Sequence, residues 1–255
     1  MVIHSYKFQV VSCKSMANNY FQFKQFTVQQ EKAALKVSTD SCLFGAWVAE
    51  CVRVKMYDVR SVLDIGTGAG LLILMLAQKC NCAIDGIEID SPSYQQAKEN
   101  IEASPWKDRL QVFHSDVKEF QFQQKYDFII SNPPFYEGDL KSGASSRNVA
   151  MHDEGLKLDE LLEVVDKNLS DDGSFAVLLP YHRTEQFIIL ATKHRLHLSV
   201  QLNVKQSVKH SFFRSILLFS RVNATPGMQK LSIKDESNQY TADFIELLKD
   251  YYLYL

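Results

Sequence analysis

Leu63-Asp64-Ile65-Gly66-Thr67-Gly68-Ala69-Gly70 joins two apolar runs. Before it, Ser61–Ile65 has the length and composition of a buried strand. After it, Leu71–Lys79 stays apolar for long enough to form a helix. Three glycines at alternate positions mark a turn whose backbone passes where a β-carbon would collide with a ligand. The spacing is GxGxG, not the GxGxxG of most dinucleotide folds, which favours a nucleotide-like ligand without a pyrophosphate. A glycine turn between strand and helix is also an ordinary structural feature, so its meaning depends on what surrounds it.

Beyond this turn the chain alternates. Ala83–Ile89 reads as a strand, Ser91–Glu102 as a helix, and Leu110–His114 and Tyr126–Ser131 as strands. Leu158–Leu169 reads as a helix running into an Asp171-Asp172-Gly173 turn, followed by a strand, Ser174–Pro180, and a helix, Thr184–Lys193. Leu198–Lys205 and Phe212–Arg221 are two more strands with no helix between them. This alternation predicts an α/β fold with a mostly parallel sheet covered on both faces, the final pair making one antiparallel edge.

The flanks are less regular. Tyr20, Phe21, Phe23, Phe26 and Val28 alternate with polar residues, as in short strands or a hairpin over the edge of the core. Thr39 or Asp40 can cap a helix from Ser41 to Lys55. Asn223–Lys230, with Pro226-Gly227, reads as a surface loop, and Tyr240–Tyr251 as a last amphipathic helix. No repeat, low-complexity tract or linker divides the 255 residues. One domain is expected over 1–255: an N-terminal extension and first helix over 1–57, a core over 58–221, and a C-terminal loop and helix over 222–255.

An apolar fraction of 46% with 23% charged residues is that of a soluble globular protein. The net charge of −2 does not announce a nucleic-acid binder, but local patches rather than totals set phosphate contacts. The cysteines (Cys13, Cys42, Cys51, Cys80, Cys82) include no CxxC pair. Thiols in a reducing cytoplasm are therefore expected, and no metal. The N-terminus lacks a continuous apolar signal core, and the longest apolar run, Leu71–Ala77, is too short to span a bilayer.

Three acids fall at strand ends. Asp64 precedes the glycines. Glu88 ends the second strand about 20 residues beyond the glycine turn, where a carboxylate meets ribose hydroxyls. Asp90 is the alternative, but its place just before Ser91-Pro92 suits a helix cap. Asp116, after the third strand, falls beside an adenine's amine or caps a loop turn.

The fourth strand ends in Ser131-Asn132-Pro133-Pro134-Phe135. A planar amine is a poor nucleophile because its lone pair is delocalised. The Asn132 side-chain oxygen and the Pro133 carbonyl can each accept one of its hydrogens, drawing the nitrogen toward a tetrahedral shape, and they help most as positive charge develops. The prolines stiffen the loop, and Phe135 offers a face on which a base can stack. Beside the glycine turn, these residues point to methyl transfer onto an amino nitrogen. Asn132, Pro133 and Phe135 are the catalytic candidates.

The order of Asp64, Gly66, Gly68, Gly70, Glu88, Asp116 and Asn132 resembles the S-adenosylmethionine-dependent methyltransferases of class I, with their Rossmann-like seven-stranded sheet. That resemblance implies S-adenosylmethionine as cofactor, held by these residues, and adds Thr39 and Asp40 as a segment closing over its methionine end. Over nearly its full length the chain is similar to the tRNA adenine-N6 methyltransferases that modify adenosine 37 of valine tRNA. The segments that carry this are Phe21–Gln29, Lys36-Val37-Ser38-Thr39-Asp40 with Gly45-Ala46-Trp47, the Asp64 glycine turn, Asn132-Pro133-Pro134-Phe135 and Tyr240–Leu253. It implies a tRNA anticodon loop as partner and a monomeric enzyme. Lys141 and Arg147 become substrate-binding candidates beside Phe135, while Met151 stands where similar proteins tend to carry an arginine. Lys205, Lys209, His210 and Arg214 are further candidates for phosphate contact. Adenine methylation in ribosomal RNA or DNA, and methylation of a protein glutamine by enzymes that resemble this chain at the tetrapeptide but usually have Tyr where Phe135 stands, stay open.

Overall fold

A computed structural model of the protein describes residues 18–54, 59–134 and 156–255. At the N-terminal side, β1 (Tyr20–Gln22) and β2 (Thr27–Gln29) form the expected antiparallel hairpin. Helix α1 (Thr39–Val54) follows. It begins two residues before the expected Ser41, which leaves Ser38 at the cap position, where its hydroxyl accepts from the Ser41 N–H.

The core then runs β3 (Ser61–Ile65), α2 (Leu71–Ala77), β4 (Ala83–Glu88), α3 (Ser91–Glu102), β5 (Leu110–His114) and β6 (Tyr126–Ser131). After residue 155 come α4 (Leu158–Asn168), β7 (Leu169–Pro180), α5 (Thr184–Lys193), β8 (His197–Ser207), β9 (Phe212–Ser220), β10 (Gly227–Lys234) and α6 (Ala242–Leu248). The sheet order is β10-β8-β9-β7-β6-β3-β4-β5.

The α/β, mostly parallel class is as expected, with differences in detail. Among the described residues the sheet has eight strands, because Gly227–Lys234, expected partly as loop, pairs parallel with β8. Pro226 ends before the ladder begins, so the missing proline N–H disturbs nothing. The antiparallel strand is not an edge: β9 lies between β7 and β8 and runs against both. Asp171-Asp172-Gly173 is not a turn between elements. The register jumps from Tyr126↔Leu169 to Phe128↔Ser174, so these residues bulge from β7 with both aspartates in solvent. The last helix is shorter than Tyr240–Tyr251. Tyr251 instead buries its ring and donates its hydroxyl to the Met75 carbonyl at 3.0 Å, fastening the C-terminal segment to α2. Cys80 and Cys82 are joined in a disulfide, correcting the expectation of thiols only. They flank Asn81 in the turn into β4, with Cα atoms 5.6 Å apart, within bridging range.

Alternate strand residues feed two apolar layers. Val62, Phe128, Ile130, Ala176 and Leu178 pack with α1, α2 and α6, while Leu63, Ile65, Ile129, Phe175 and Val177 pack with α4 and α5. The chain leaves β3 outward to β4 and β5, then returns to place β6 on β3's other side. That reversal opens a crevice at the carboxyl ends of β3 and β6, where open α/β sheets bind ligands.

Candidate active site

The crevice is lined by what the strands deliver at their carboxyl ends. Register fixes the neighbours: Ile65 pairs with Ile87 on one side and with Ser131 on the other. Asn132 therefore follows β6 at the level where Gly66 follows β3. The Ser131 hydroxyl donates to the Ile65 carbonyl at 2.9 Å, locking the two strand ends together.

On the β3 side the turn has left-handed backbone at Gly66 (φ +74°), Gly68 (φ +56°) and Gly70 (φ +82°). A β-carbon at Gly66 or Gly68 would meet no atom of the described residues within 4 Å, so among these residues the two glycines border open space. The turn is held from three sides. Gly66 N–H donates to the Ile87 carbonyl at 2.9 Å, and Gly68 N–H donates to Glu88 Oε2 at 2.8 Å. The Asn100 amide of α3 donates to the Ala69 carbonyl and to the Gln29 carbonyl, each at 2.8 Å, and accepts from the Gln29 N–H at 2.9 Å. Asn100 thus ties the turn to the N-terminal hairpin.

Glu88 is 9% exposed, and its Oε1 accepts from the Asp90 N–H at 2.9 Å. Each carboxylate oxygen has a second lone pair, so both can still accept from a ligand hydroxyl. Asp90 caps α3 as expected, accepting from the Ser93 N–H at 2.9 Å. Asp64 is fully buried and accepts from the Thr67 hydroxyl at 2.6 Å, while its Oδ1 has no partner among the described residues. Burial, with the Glu88 charge adding to it against the Thr67 hydrogen bond, pushes the Asp64 carboxyl up to about 7. An orphaned buried acceptor beside glycines that border open space fits a polar, nucleoside-bearing cofactor. Asp116 has one oxygen committed to its own turn, accepting from the Lys118 N–H at 2.9 Å.

On the β6 side, the Asn132 side-chain nitrogen donates to Ser41 Oγ of α1 at 3.1 Å. Asp40 accepts from the Ser38 hydroxyl at 2.5 Å and from Arg214 Nε of β9 at 2.7 Å. Burial raises the Asp40 carboxyl, but the hydrogen bonds from Ser38 and Arg214 and the guanidinium charge outweigh it and hold the group below the usual carboxylate range.

The structure therefore brings Asp64, Gly66, Gly68, Glu88 and Asn132 to one crevice, with Thr39 and Asp40 at the adjoining start of α1. Pro133 is buried behind Asn132. Phe135, Lys141, Arg147 and Met151 lie outside the described residues. Arg214, expected as a phosphate contact, is engaged by Asp40. The sequence reading missed Ser38, Ser41, Thr67 and Asn100. Nothing in the local pattern tells which side chains Asn100 and Ser41 meet, and only their hydrogen bonds to distant residues give them a role. Among the described residues no cluster of three or more His, Cys, Asp or Glu could hold a metal, and no helix is long and apolar enough to cross a membrane.

Comparison with known proteins agrees with this geometry. The methyltransferase small domain family matches residues 47–184. A protein of Flavobacterium johnsoniae named tRNA1(Val) (adenine(37)-N6)-methyltransferase is 40% identical over 237 residues, covering 91% of this chain and 99% of its own. One of the same name from Pseudoalteromonas translucida is 40% identical over 235 residues, covering 91% and 98%. Among solved structures, a predicted O-methyltransferase of Agrobacterium tumefaciens superposes with a TM-score of 0.61 at 13% identity, over 83% of this chain and 96% of that one. The shared architecture is the class I methyltransferase fold. With the coverage nearly complete in both directions, the chain belongs to the tRNA1(Val) (adenine(37)-N6)-methyltransferase family, S-adenosylmethionine-dependent enzymes built on the methyltransferase small domain.

Proposed function

We propose that this enzyme methylates the exocyclic N6 amine of adenosine 37 in the anticodon loop of a valine tRNA, acting as a monomer in the cytoplasm. The observation that carries the chemistry is the register that puts Asn132 beside the glycine turn, one strand away. The names of the relatives support the choice of tRNA.

Gly66, Gly68, Glu88, Asp64 and Asp116 would hold the cofactor on the β3 side. Bound there, S-adenosylmethionine would supply an electrophilic sulfonium methyl and would leave as S-adenosylhomocysteine. The chain's own task is to prepare the amine. Asn132 Oδ1 and the Pro133 carbonyl accept its two N–H bonds, localise its lone pair and turn it toward the β3 side. Both acceptors strengthen their hold as the nitrogen becomes cationic. The proton becomes acidic only then, so neither group has to be a strong base. Phe135 stacks on the base, and Lys141 and Arg147 contact RNA. A stacked, paired base could not enter the crevice, whereas an anticodon-loop purine is splayed at little cost.

Incubating the protein with labelled S-adenosylmethionine and total tRNA lacking N6-methyladenosine, followed by nucleoside mass spectrometry, tests the reading. N6-methyladenosine in valine tRNA alone is the expected product. Label on ribosomal RNA, DNA or a protein glutamine instead would overturn the substrate and keep the cofactor.

A further inference from the structure

The active-site amide is anchored by a chain of hydrogen bonds that crosses from β6 to β9 through the start of α1. Asn132 Nδ2 meets Ser41 Oγ at 3.1 Å, Ser41 Oγ meets Ser38 Oγ at 2.7 Å, Ser38 Oγ meets Asp40 Oδ1 at 2.5 Å, and Asp40 Oδ2 meets Arg214 Nε at 2.7 Å. Arg214 pairs in register with Pro180, at the end of β7. The chain therefore bridges the end of the strand that separates β6 from β9.

The direction of every donor follows from one end. An ionised carboxylate only accepts, so the single Ser38 hydroxyl proton goes to Asp40. Ser38 Oγ must then accept from Ser41, whose own proton is spent on that contact. What Ser41 offers Asn132 is a lone pair. Of the two ends of the Asn132 amide, only the NH2 can face a lone pair. The carbonyl oxygen is thereby turned the other way, as an acceptor for a substrate amine. Without the chain, the amide could flip and present donors to an amine that itself only needs acceptors.

We propose that Ser41, Ser38 and Asp40, with Arg214 behind them, are positioning residues that fix the flip of the Asn132 amide and enrich its carbonyl oxygen for the methyl-accepting amine. The inference rests on Asn132 holding that amine. Donation from an amide N–H toward an anionic chain polarises the amide, and linked hydrogen bonds of this kind strengthen one another. The effect is greatest when the nitrogen held by Asn132 Oδ1 becomes cationic. Arg214 keeps Asp40 charged, so the direction of the chain does not reverse anywhere near neutral pH.

The bland alternative is that Ser38 and Asp40 merely cap α1. Single-turnover methylation, S-adenosylhomocysteine affinity by calorimetry and thermal unfolding, measured on Ser41→Ala, Ser41→Thr, Asn132→Ala and the Ser41→Ala/Asn132→Ala double variant, separate the two. The substrate is whichever nucleic acid or protein the unaltered enzyme methylates. Ser41→Ala is expected to slow turnover by roughly tenfold to a hundredfold, the scale of a small misplacement of a reacting group. Its cofactor affinity should stay within about twofold, Ser41→Thr should recover most of the rate, and the double variant should fall no further than Asn132→Ala. Unchanged turnover in Ser41→Ala overturns the inference, as does a loss that tracks the unfolding midpoint and is not rescued by threonine. If Asn132→Ala itself turns over normally, the role given to Asn132 fails first, and the positioning role fails with it.

Discussion

The carboxyl ends of β3 and β6 lie side by side, yet they are built differently. The β3 end is mostly local. Asp64, its three glycines and Thr67 lie in one continuous stretch, with Glu88 added from the strand next door and Asn100 of α3 bracing the turn from behind. The β6 end is assembled from afar: Asn132 leans on Ser41, more than ninety residues away, and the chain behind it ends on β9. A cofactor cradle repeated across many substrates can be written as one continuous turn. A group that must hold one amine in one orientation needs support from several directions, because each constraint removes a different rotation.

Breaking the β6 end should have the largest effect. Asn132→Ala removes an acceptor that matters most in the transition state, so single-turnover methylation should fall by about a hundredfold to a thousandfold. Next comes the cradle. Gly68→Ala places a methyl group where no atom of the described residues lies within 4 Å. The folded protein should lose only about 1–2 kcal/mol, for the left-handed backbone, while S-adenosylhomocysteine affinity drops far more. Equal losses would show that the space is not the ligand's. Asn100→Ala sharpens the comparison from behind the turn. It removes hydrogen bonds to Ala69 and to both polar groups of Gln29. The expected cost is about 2–4 kcal/mol in denaturant unfolding, since buried groups are left unpaired, with weaker cofactor binding and an unchanged rate for the bound complex.

The smallest and most graded test is pH. Asp64 titrates near 7 in the fold, above its ordinary 3.8. Between those values the folded state binds the proton and the unfolded state does not, so stability falls as pH rises through that window. Asp64 thus contributes stability that is fully present below pH about 4 and gone above about 7. Thermal unfolding of the ligand-free protein between pH 5 and 8 should show this negative slope, flattened in Asp64→Asn whatever that variant's absolute stability.

The same contrast explains what could be read before the structure. The strands that carry the site are five or six residues long and mostly apolar, and β3, β5 and β6 have the bounds that the sequence pattern predicts. Glu88 and Asn132 were legible because each sits at a fixed offset from such a strand. Strand β10 was not: Met228-Gln229-Lys230 is exposed at the edge of the sheet and lacks the alternation that marks a half-buried strand. The place of β9 inside the sheet depends on which neighbour a strand chooses, and local pattern does not encode that. Arg214 read as a basic surface group because a salt bridge to a residue 174 positions away has no sequence signature.

The most direct test crosses the two ends. Cofactor affinity by calorimetry and single-turnover methylation at saturating cofactor are measured on the same preparations of Asn132→Ala and Glu88→Ala. The account predicts a near-normal affinity with a collapsed rate for Asn132→Ala. For Glu88→Ala it predicts an affinity at least about tenfold weaker, as befits lost hydrogen bonds to a charged group, with the rate largely recovered once the site is filled. Both variants losing affinity and rate in the same proportion would contradict the separation of cofactor cradle from amine holder.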